Sequence, residues 1–461
     1  MNHHYQETAG GRRPIDGIDE LRSLVQRSAV TSVILAVPDM QGRLKGKTYT
    51  ATRFLDHVAE HGAHACAYLF ATDIDMNPVN GYTLTSYDNG YGDIALRADT
   101  QAMYLMPWAP QTALVYADAE QPGGKPLDVA PRQMLRRQLD QLAGRGITAQ
   151  VGLETEFVLM LGTYEDALRN GFRGLRPVTT GSKDYALSHP RAVNTYLQDL
   201  QLSLARAGRP VEAIKAEGGD GQFEVTFPPL DPLDAADTHL LLKHAASTIA
   251  EQHGLTPTFM AAPSTGTGSG CHIHLSLHRG EGPVFAEREG RMPQAMLHVI
   301  AGLLDALPHL APLYAPNINS YKRFTARAFA PVNYTWGRDN RTCALRAVGR
   351  NDGLRLEVRL PGADTNPYLA LTAVLAAAQH GLDHTLDPPK PTIGNAFQDT
   401  DAPRIPSTLD DALTAFLKGG LAADLLTSDV AAHYAHAARH EIDSHRNTVT
   451  DVDLRRGFAT A

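Results

Sequence analysis

The chain has 461 residues, which sets an expectation of two or three domains rather than one. Hydrophobic residues make up 43% and charged residues 20%, the balance of a water-soluble globular protein, and a net charge of −8 leaves no basic footprint for nucleic acid. Cys66, Cys271 and Cys343 are scattered without C-x-x-C spacing, which argues against a disulfide framework or zinc knuckle and fits a reducing, cytoplasmic setting. The opening residues 1–13 lack the apolar stretch of a signal peptide, and the longest apolar run, 369–378, is too short to cross a bilayer, so no membrane partner is expected.

Residues 1–16 read as a disordered lead-in. Helical spacing follows at 17–29 through Ile18, Leu21, Leu24 and Val25. A strand at 32–37, a turn from Asp39 to Gly42 and a strand at 44–49 form a hairpin. A short helix at 54–61 precedes short strands at 65–70, 93–98, 103–106 and 113–117, the pattern of a small α+β domain over 17–118. The Gly- and Pro-rich stretch 119–126 marks its boundary. The larger part, 126–461, opens with a helix at 131–143 whose Met134, Leu135, Leu139 and Leu142 share one side. Helices at 192–207, 234–253, 296–306, 367–382 and 430–445 follow, with strands near 211–215 and 222–227 among them.

Ionisable residues gather on four strands. Between 147 and 161 side chains alternate faces, so Val151, Leu153, Phe157 and Leu159 fall on one face and Glu154 and Glu156 together on the other. Two carboxylates side by side repel and resist desolvation; a fold that keeps them sets a positive charge over them, most often a divalent metal. Alone, such a pair is commonly a wet sheet face, but the pattern returns three times. Glu217 precedes a Gly-rich turn that can fold it beside Glu224, and Gln222, Glu224 and Thr226 alternate with Phe223, Val225 and Phe227. His272, His274 and Ser276 alternate with Ile273, Leu275 and Leu277, and Arg355, Glu357 and Arg359 with Leu354, Leu356, Val358 and Leu360. If the four strands are neighbours, their front gathers Glu154, Glu156, Glu217, Glu224, Glu357 and His272. Five carboxylates and an imidazole suit two or three hard divalent cations, Mg²⁺ or Mn²⁺, rather than tetrahedral zinc.

Arg323, Arg341, Arg346, Arg355 and Arg359 crowd into under forty residues. Such clusters are commonly surface salt-bridge lattices, yet Arg355 and Arg359 share a face with Glu357. Metals plus arginine forks, with no Ser-His-Asp constellation, describe phosphoryl transfer by positioning and charge neutralisation. No Walker A motif is present, and the Gly-rich 266–270 does not open a helix; it can let a substrate approach the backbone.

At these positions the chain resembles the glutamine synthetase family, type I-like branch. The resemblance is carried by Glu154-Thr-Glu156, the run from Glu217 to Glu224, Gly268 to His274, Asn319-Ser-Tyr-Lys-Arg323, Asn340-Arg341, and Arg355-Leu-Glu-Val-Arg359 followed by Asn366-Pro-Tyr368. It implies an α+β protein with an N-terminal β-grasp domain and a C-terminal catalytic domain on a curved antiparallel sheet flanked by helices. It also implies a homo-oligomer, a dodecamer of two stacked hexameric rings with sites shared between neighbours. By the resemblance, Glu156, Glu217 and Glu224 hold the metal nearer the amino acid, and Glu154, His272 and Glu357 the one on the nucleotide phosphates. Gly268, Arg323 and Arg359 bind glutamate; Arg341, Arg346, Arg355 and His274 serve the nucleotide, with Ser276 on the same face. Arg323 and Arg341 are the expected catalytic cations. The family reaction phosphorylates the γ-carboxylate of glutamate from ATP, and an amine then displaces phosphate.

Two departures redirect the substrate. The flap after Arg323 carries Phe329 where the resemblance expects a glutamate, and Ala71 stands where an aspartate would complete the ammonium pocket. A ring and a methyl do not hold a small cation, but they make room for an alkyl chain. The position adenylylated in regulated members falls near His384 to Asp387 and carries no tyrosine. The expected activity is therefore an ATP-dependent glutamate–amine ligase acting on a polyamine, a diamine or ethanolamine. The alternatives are a glutamine synthetase that uses ammonium, with Asp73 or Asp75 filling the pocket, and a catalytically silent regulatory member. A metal-dependent amidohydrolase, suggested by His272 and His274, would leave the arginines unexplained.

Overall fold

A computed structural model describes residues 15–460. The expected disordered lead-in lies outside the described residues except for its last two positions, of which Ile15 is buried against the core.

Two sheets organise the molecule. The N-terminal one has five strands in the order Leu44–Thr50, Ser32–Pro38, Thr112–Glu120, Asp93–Leu105, Ala63–Cys66. The hairpin expected at 32–49 is present, and Ser32–Pro38 runs parallel to Thr112–Glu120, the first-to-last pairing of a β-grasp unit. The helix Ile18–Gln26 buries Leu21 and Leu24. Three details differ from expectation. The strand at 65–70 stops at Cys66 and continues as a 3₁₀ turn, Ala67–Phe70, because Ala67 and Phe70 enter the core together at a spacing of three rather than two. The strands at 93–98 and 103–106 are one, Asp93–Leu105, with a register shift between Ala98 and Met103. The helix at 54–61 starts at Ala51, where Thr50 accepts the Arg53 N–H, and its middle, Phe54–Val58, is a π-turn that brings Phe54 and Val58 inward.

The large sheet has ten strands. Its main path runs Trp336–Arg338, Leu345–Val348, Arg355–Val358, Cys271–Arg279, Thr148–Leu161, Gln222–Thr226, Ala213–Ala216. Every pairing on that path is antiparallel except Trp336–Arg338 with Leu345–Val348. The apolar backs of the strands form the core with the helices Pro131–Gly144, Pro232–Gln252, Gln294–Ala306 and Pro367–His384. Burying each Leu, Val or Phe contributes about 1.5–3 kcal/mol, and this back face holds the polar front in place. Pro367–His384 is buried nearly all round. It meets Gln294–Ala306 through two glycines: a Cβ on Gly302 would lie 2.4 Å from Ala377 O, and one on Gly381 only 2.0 Å from His298 O. The helices Leu409–Leu417 and Leu421–Leu426, which the sequence reading did not anticipate, complete the layer.

Two polar knots join the sheets. The buried Asp39 carboxylate accepts the N–H groups of Gln41 (3.0 Å) and Arg43 (2.8 Å), closing the hairpin turn, and Asn366 Nδ2 donates to the carbonyls of Asp39 (3.0 Å) and Met40 (3.1 Å). In the second knot Arg132, only 1% exposed, donates to Asp99 (2.7 Å) and Asp118 (2.6 Å) of the N-terminal sheet and to Asp237 (3.0 and 3.2 Å) of Pro232–Gln252. Tyr368 Oη adds a 2.6 Å bond to Asp237. Arg132→Met would leave the Asp237 carboxylate buried without its cation, so denaturant unfolding should show a loss of about 3 kcal/mol; a loss below about 1 kcal/mol would show that the knot contributes little.

Candidate active site on the polar front of the large sheet

The four strands singled out by their ionisable fronts run consecutively in the sheet. Register sets His272 opposite Glu154, Glu156 opposite Glu224, and His274 opposite Glu357. Glu217 lies beyond the end of Ala213–Ala216, and the Gly-rich turn folds it back onto Glu224. The candidate ligand atoms of Glu156, Glu217 and Glu224 lie within 4.8 Å of one another; so do those of Glu154, Glu224 and His272, and those of Glu154, His274 and Glu357. The six residues expected as ligands thus fall into overlapping clusters on one face, with the difference that Glu154 and Glu357 gather with His274 rather than with His272. His274 Nε2 donates to Glu154 at 2.8 Å while its Nδ1 accepts Arg355 Nε at 3.1 Å.

Excess negative charge shows in the acidities. Burial, and then Glu217, push the Glu156 carboxyl up to about 7 against the pull of Arg323 and Arg359. Burial, and then Glu154 and Glu156, push Glu224 up to about 8 with Lys215 opposing. Burial would raise Glu154 too, but hydrogen bonds from His272 and His274 hold it well below the usual carboxylate range. Burial is overcome at Glu357 as well, where Arg359 and the two histidines hold the carboxyl down at about 2. Burial and Arg359 press the His272 imidazole down to about 4; it is neutral near pH 7, as a metal ligand must be. These carboxylate oxygens and imidazole nitrogens, with no cysteine among them, fit hard divalent cations.

The arginines divide into three kinds. Arg346 and Arg359 are buried and both grip Glu357, Arg346 at 2.9 Å and Arg359 at 2.5 Å; Arg346 Nε also reaches Asp339 at 3.1 Å. Arg323 is buried beside Glu156 and donates to the carbonyls of Leu360 (2.9 Å) and Arg359 (3.2 Å). Among the described residues Arg359 Nε is buried with no partner, a donor left over for a ligand. Arg341 is exposed in the turn after Trp336–Arg338, and its charge adds to the Arg346 hydrogen bond that holds the Asp339 carboxyl below the usual carboxylate range. Ser276 stands opposite Gln150, further along its strand than the carboxylates.

Gly268 lies against the flap: a Cβ there would meet Arg323 Cγ at 2.9 Å and Ala328 Cβ at 3.0 Å. Its carbonyl accepts Gln222 Nε2 at 2.8 Å, and the same amide donates to Glu156 at 2.9 Å. Phe329, next after Ala328, is in the left-handed region (φ 53°) and 54% exposed. Ala71 is fully buried.

Two contributors escaped the sequence reading. Lys215 sits over Glu217 and 4.0 Å from Glu224, a counter-ion for the acidic cluster; strand parity with Glu217 was its signal. Gln222 was placed on the front, but its bridging role depends on where Gly268 lies, which no local pattern encodes.

The site has the parts of an ATP-dependent carbon–nitrogen ligase: acidic clusters that could hold metal ions, arginine forks and a flap packed against Gly268. Residues 128–457 match the family model for the glutamine synthetase catalytic domain, so the chain belongs to the glutamine synthetase family and is a glutamate–amine ligase. It is 45% identical over 447 residues to the gamma-glutamylethanolamide synthetase of Streptomyces coelicolor, covering 97% of this chain and 96% of that one. It is 32% identical over 444 residues to a glutamate–isopropylamine ligase of a Pseudomonas species, covering 95% and 97%. Among solved structures, a GmaS–ADP complex superposes with a TM-score of 0.82 at 26% identity, covering 95% of this chain and 99% of that one.

Protons held by Glu156 and Glu224 must leave when a cation arrives. Calorimetry with Mn²⁺ in buffers of different ionisation enthalpy should show proton release and an affinity that rises about tenfold from pH 6 to pH 8. Affinity independent of pH would mean that these carboxylates do not bind the metal.

Proposed function

We propose that the chain joins the γ-carboxylate of glutamate to the nitrogen of an organic amine, with ethanolamine favoured, through a γ-glutamyl phosphate. One observation carries the choice of amine: Phe329 stands on the flap where an ammonium-binding carboxylate would be, beside Ala328, which packs on Gly268. The 45% identity to an ethanolamide synthetase supports it. The unpartnered Arg359 Nε and the buried Arg323, with Gly268, suit the glutamate carboxylate. Arg341, Arg346 and Arg355, with His274 and Ser276, form the nucleotide side. Glu156, Glu217 and Glu224 would hold one cation, and Glu154, His272 and Glu357 another, giving two or three Mg²⁺ or Mn²⁺ per site. Bound there, such cations would supply charge neutralisation for a transferring phosphoryl group.

The chain's own residues position and shield. Arg359 and Arg346 fix the Glu357 carboxylate from two sides, and Gln222 ties Glu156 to the Gly268 carbonyl. In this reading the glutamate γ-carboxylate attacks the terminal phosphorus of ATP and ADP leaves. The neutral amine then attacks the acyl carbon, expelling phosphate and losing a proton.

The 17–118 unit acts as the β-grasp domain and 126–461 as the catalytic domain, within a dodecamer whose neighbouring subunits complete each site; the family resemblance supports this. A cytoplasmic place is supported by the three free cysteines. Among the described residues no helix is long and apolar enough to cross a membrane.

The rival, a true glutamine synthetase, needs a free carboxylate in the amine pocket. Asp73 is engaged in its own loop, accepting Asn77 N at 2.7 Å and Asn77 Nδ2 at 3.0 Å, which counts against it. With Mg²⁺, ATP and glutamate, phosphate release should be faster with ethanolamine than with ammonium; faster release with ammonium would refute the organic-amine reading. Phe329→Glu should raise kcat/KM for ammonium by about tenfold, measured by the same assay.

A further inference from the structure

The flap phenylalanine does not stand alone. The Phe397 ring lies edge-on to the Phe329 ring, centroids 6.0 Å apart at 74°. Phe397 belongs to the short turn Ala396–Gln398, far from the flap in sequence. That turn is tied down on two sides. Asn333 Nδ2, just past the flap, donates to the carbonyls of Ala396 (3.0 Å) and Asp399 (2.7 Å). Ala396 N donates to Thr342 Oγ1 at 2.9 Å, next to Arg341, and Asn395 Oδ1 receives Phe397 N at 3.0 Å.

Phe329 is anchored from the other direction. Thr325 Oγ1 accepts Ala328 N at 3.2 Å, and the left-handed backbone at Phe329 turns its ring outward. A non-glycine residue in that conformation carries backbone strain. The ring so positioned is more than half exposed, so the strain is not repaid by burial in the core. Ala328, the residue before Phe329, lies beside Gly268, whose carbonyl shares the Gln222 amide with Glu156.

Two aromatic rings, edge to face beside the flap that packs on Gly268 and held by polar ties from both sides, form an apolar wall. We propose that Phe397 is a specificity-determining residue that completes this wall with Phe329 and receives the carbon chain of the amine, so that primary amines of two to four carbons are selected over ammonium and methylamine. This rests on the organic-amine reading. The rings supply apolar surface and no charge, which matches the hydrocarbon part of the substrate rather than its nitrogen.

The test is kcat/KM along methylamine, ethylamine, propylamine and butylamine for the wild type, Phe397→Ala and Phe397→Leu, with KM for glutamate and for MgATP measured beside it. Each methylene taken out of water favours binding by about threefold to fourfold, so the wild-type values should climb along the series. Phe397→Ala should flatten the climb, lowering the butylamine-to-methylamine ratio by about tenfold, and Phe397→Leu should keep part of it. KM for glutamate and MgATP should stay put, because the wall is proposed to meet only the carbon chain of the amine. An unchanged ratio in Phe397→Ala overturns the proposal, and so does an equal loss on every amine, the mark of a structural role. Should the alanine variant fail to fold, the leucine variant makes the same comparison. Failure of the organic-amine reading looks different: the wild type itself would prefer ammonium to all four amines.

Discussion

The structure turns on the mutual repulsion of carboxylates held on one sheet face. Glu154 and Glu156 share a side of Thr148–Leu161 by strand parity, and flanking strands add Glu224, Glu217 and Glu357. A folded chain keeps such a group only if positive charge and hydrogen bonds offset it. Here the offset is uneven. Glu357 and Glu154 are held as anions by arginine and histidine, whereas Glu156 and Glu224 are left short of cation and retain protons near neutrality. The half of the site that is short of cation is where added positive charge would relieve the most repulsion.

The rest of the fold serves that face. The oily backs of the same strands pack on the long helices, so the parity that exposes the carboxylates also builds the core. The close approach of Gly302 and Gly381 brings the rear helices tight together, and the Arg132 and Asn366 knots attach the N-terminal sheet.

Much of this was legible in sequence because alternation along a strand is a local property. Glu154, His272, Glu224 and Glu357 could be assigned to one face each without knowing the fold, and adjacency of their strands was the one assumption the structure had to supply. What stayed hidden depends on contacts between distant segments. Arg132 gave no sign that three aspartates from separate elements would surround it, and Phe397 gave none that its ring would meet Phe329. The strand expected at 65–70 failed for a local reason: Ala67 and Phe70 follow a three-residue period that alternation does not distinguish over so short a run. Arg341, expected among the site cations, stands exposed at a turn, a placement that strand alternation does not encode.

The most direct test is a crystal structure with Mn²⁺ and ADP, using anomalous scattering to place the metal. Ions within about 2.2 Å of oxygens from Glu156, Glu217 and Glu224, and of ligand atoms from Glu154, His272 and Glu357, are the expected result. Manganese bound elsewhere, with these six side chains left on Lys215 and the arginines, would contradict the assignment of this face as the catalytic centre.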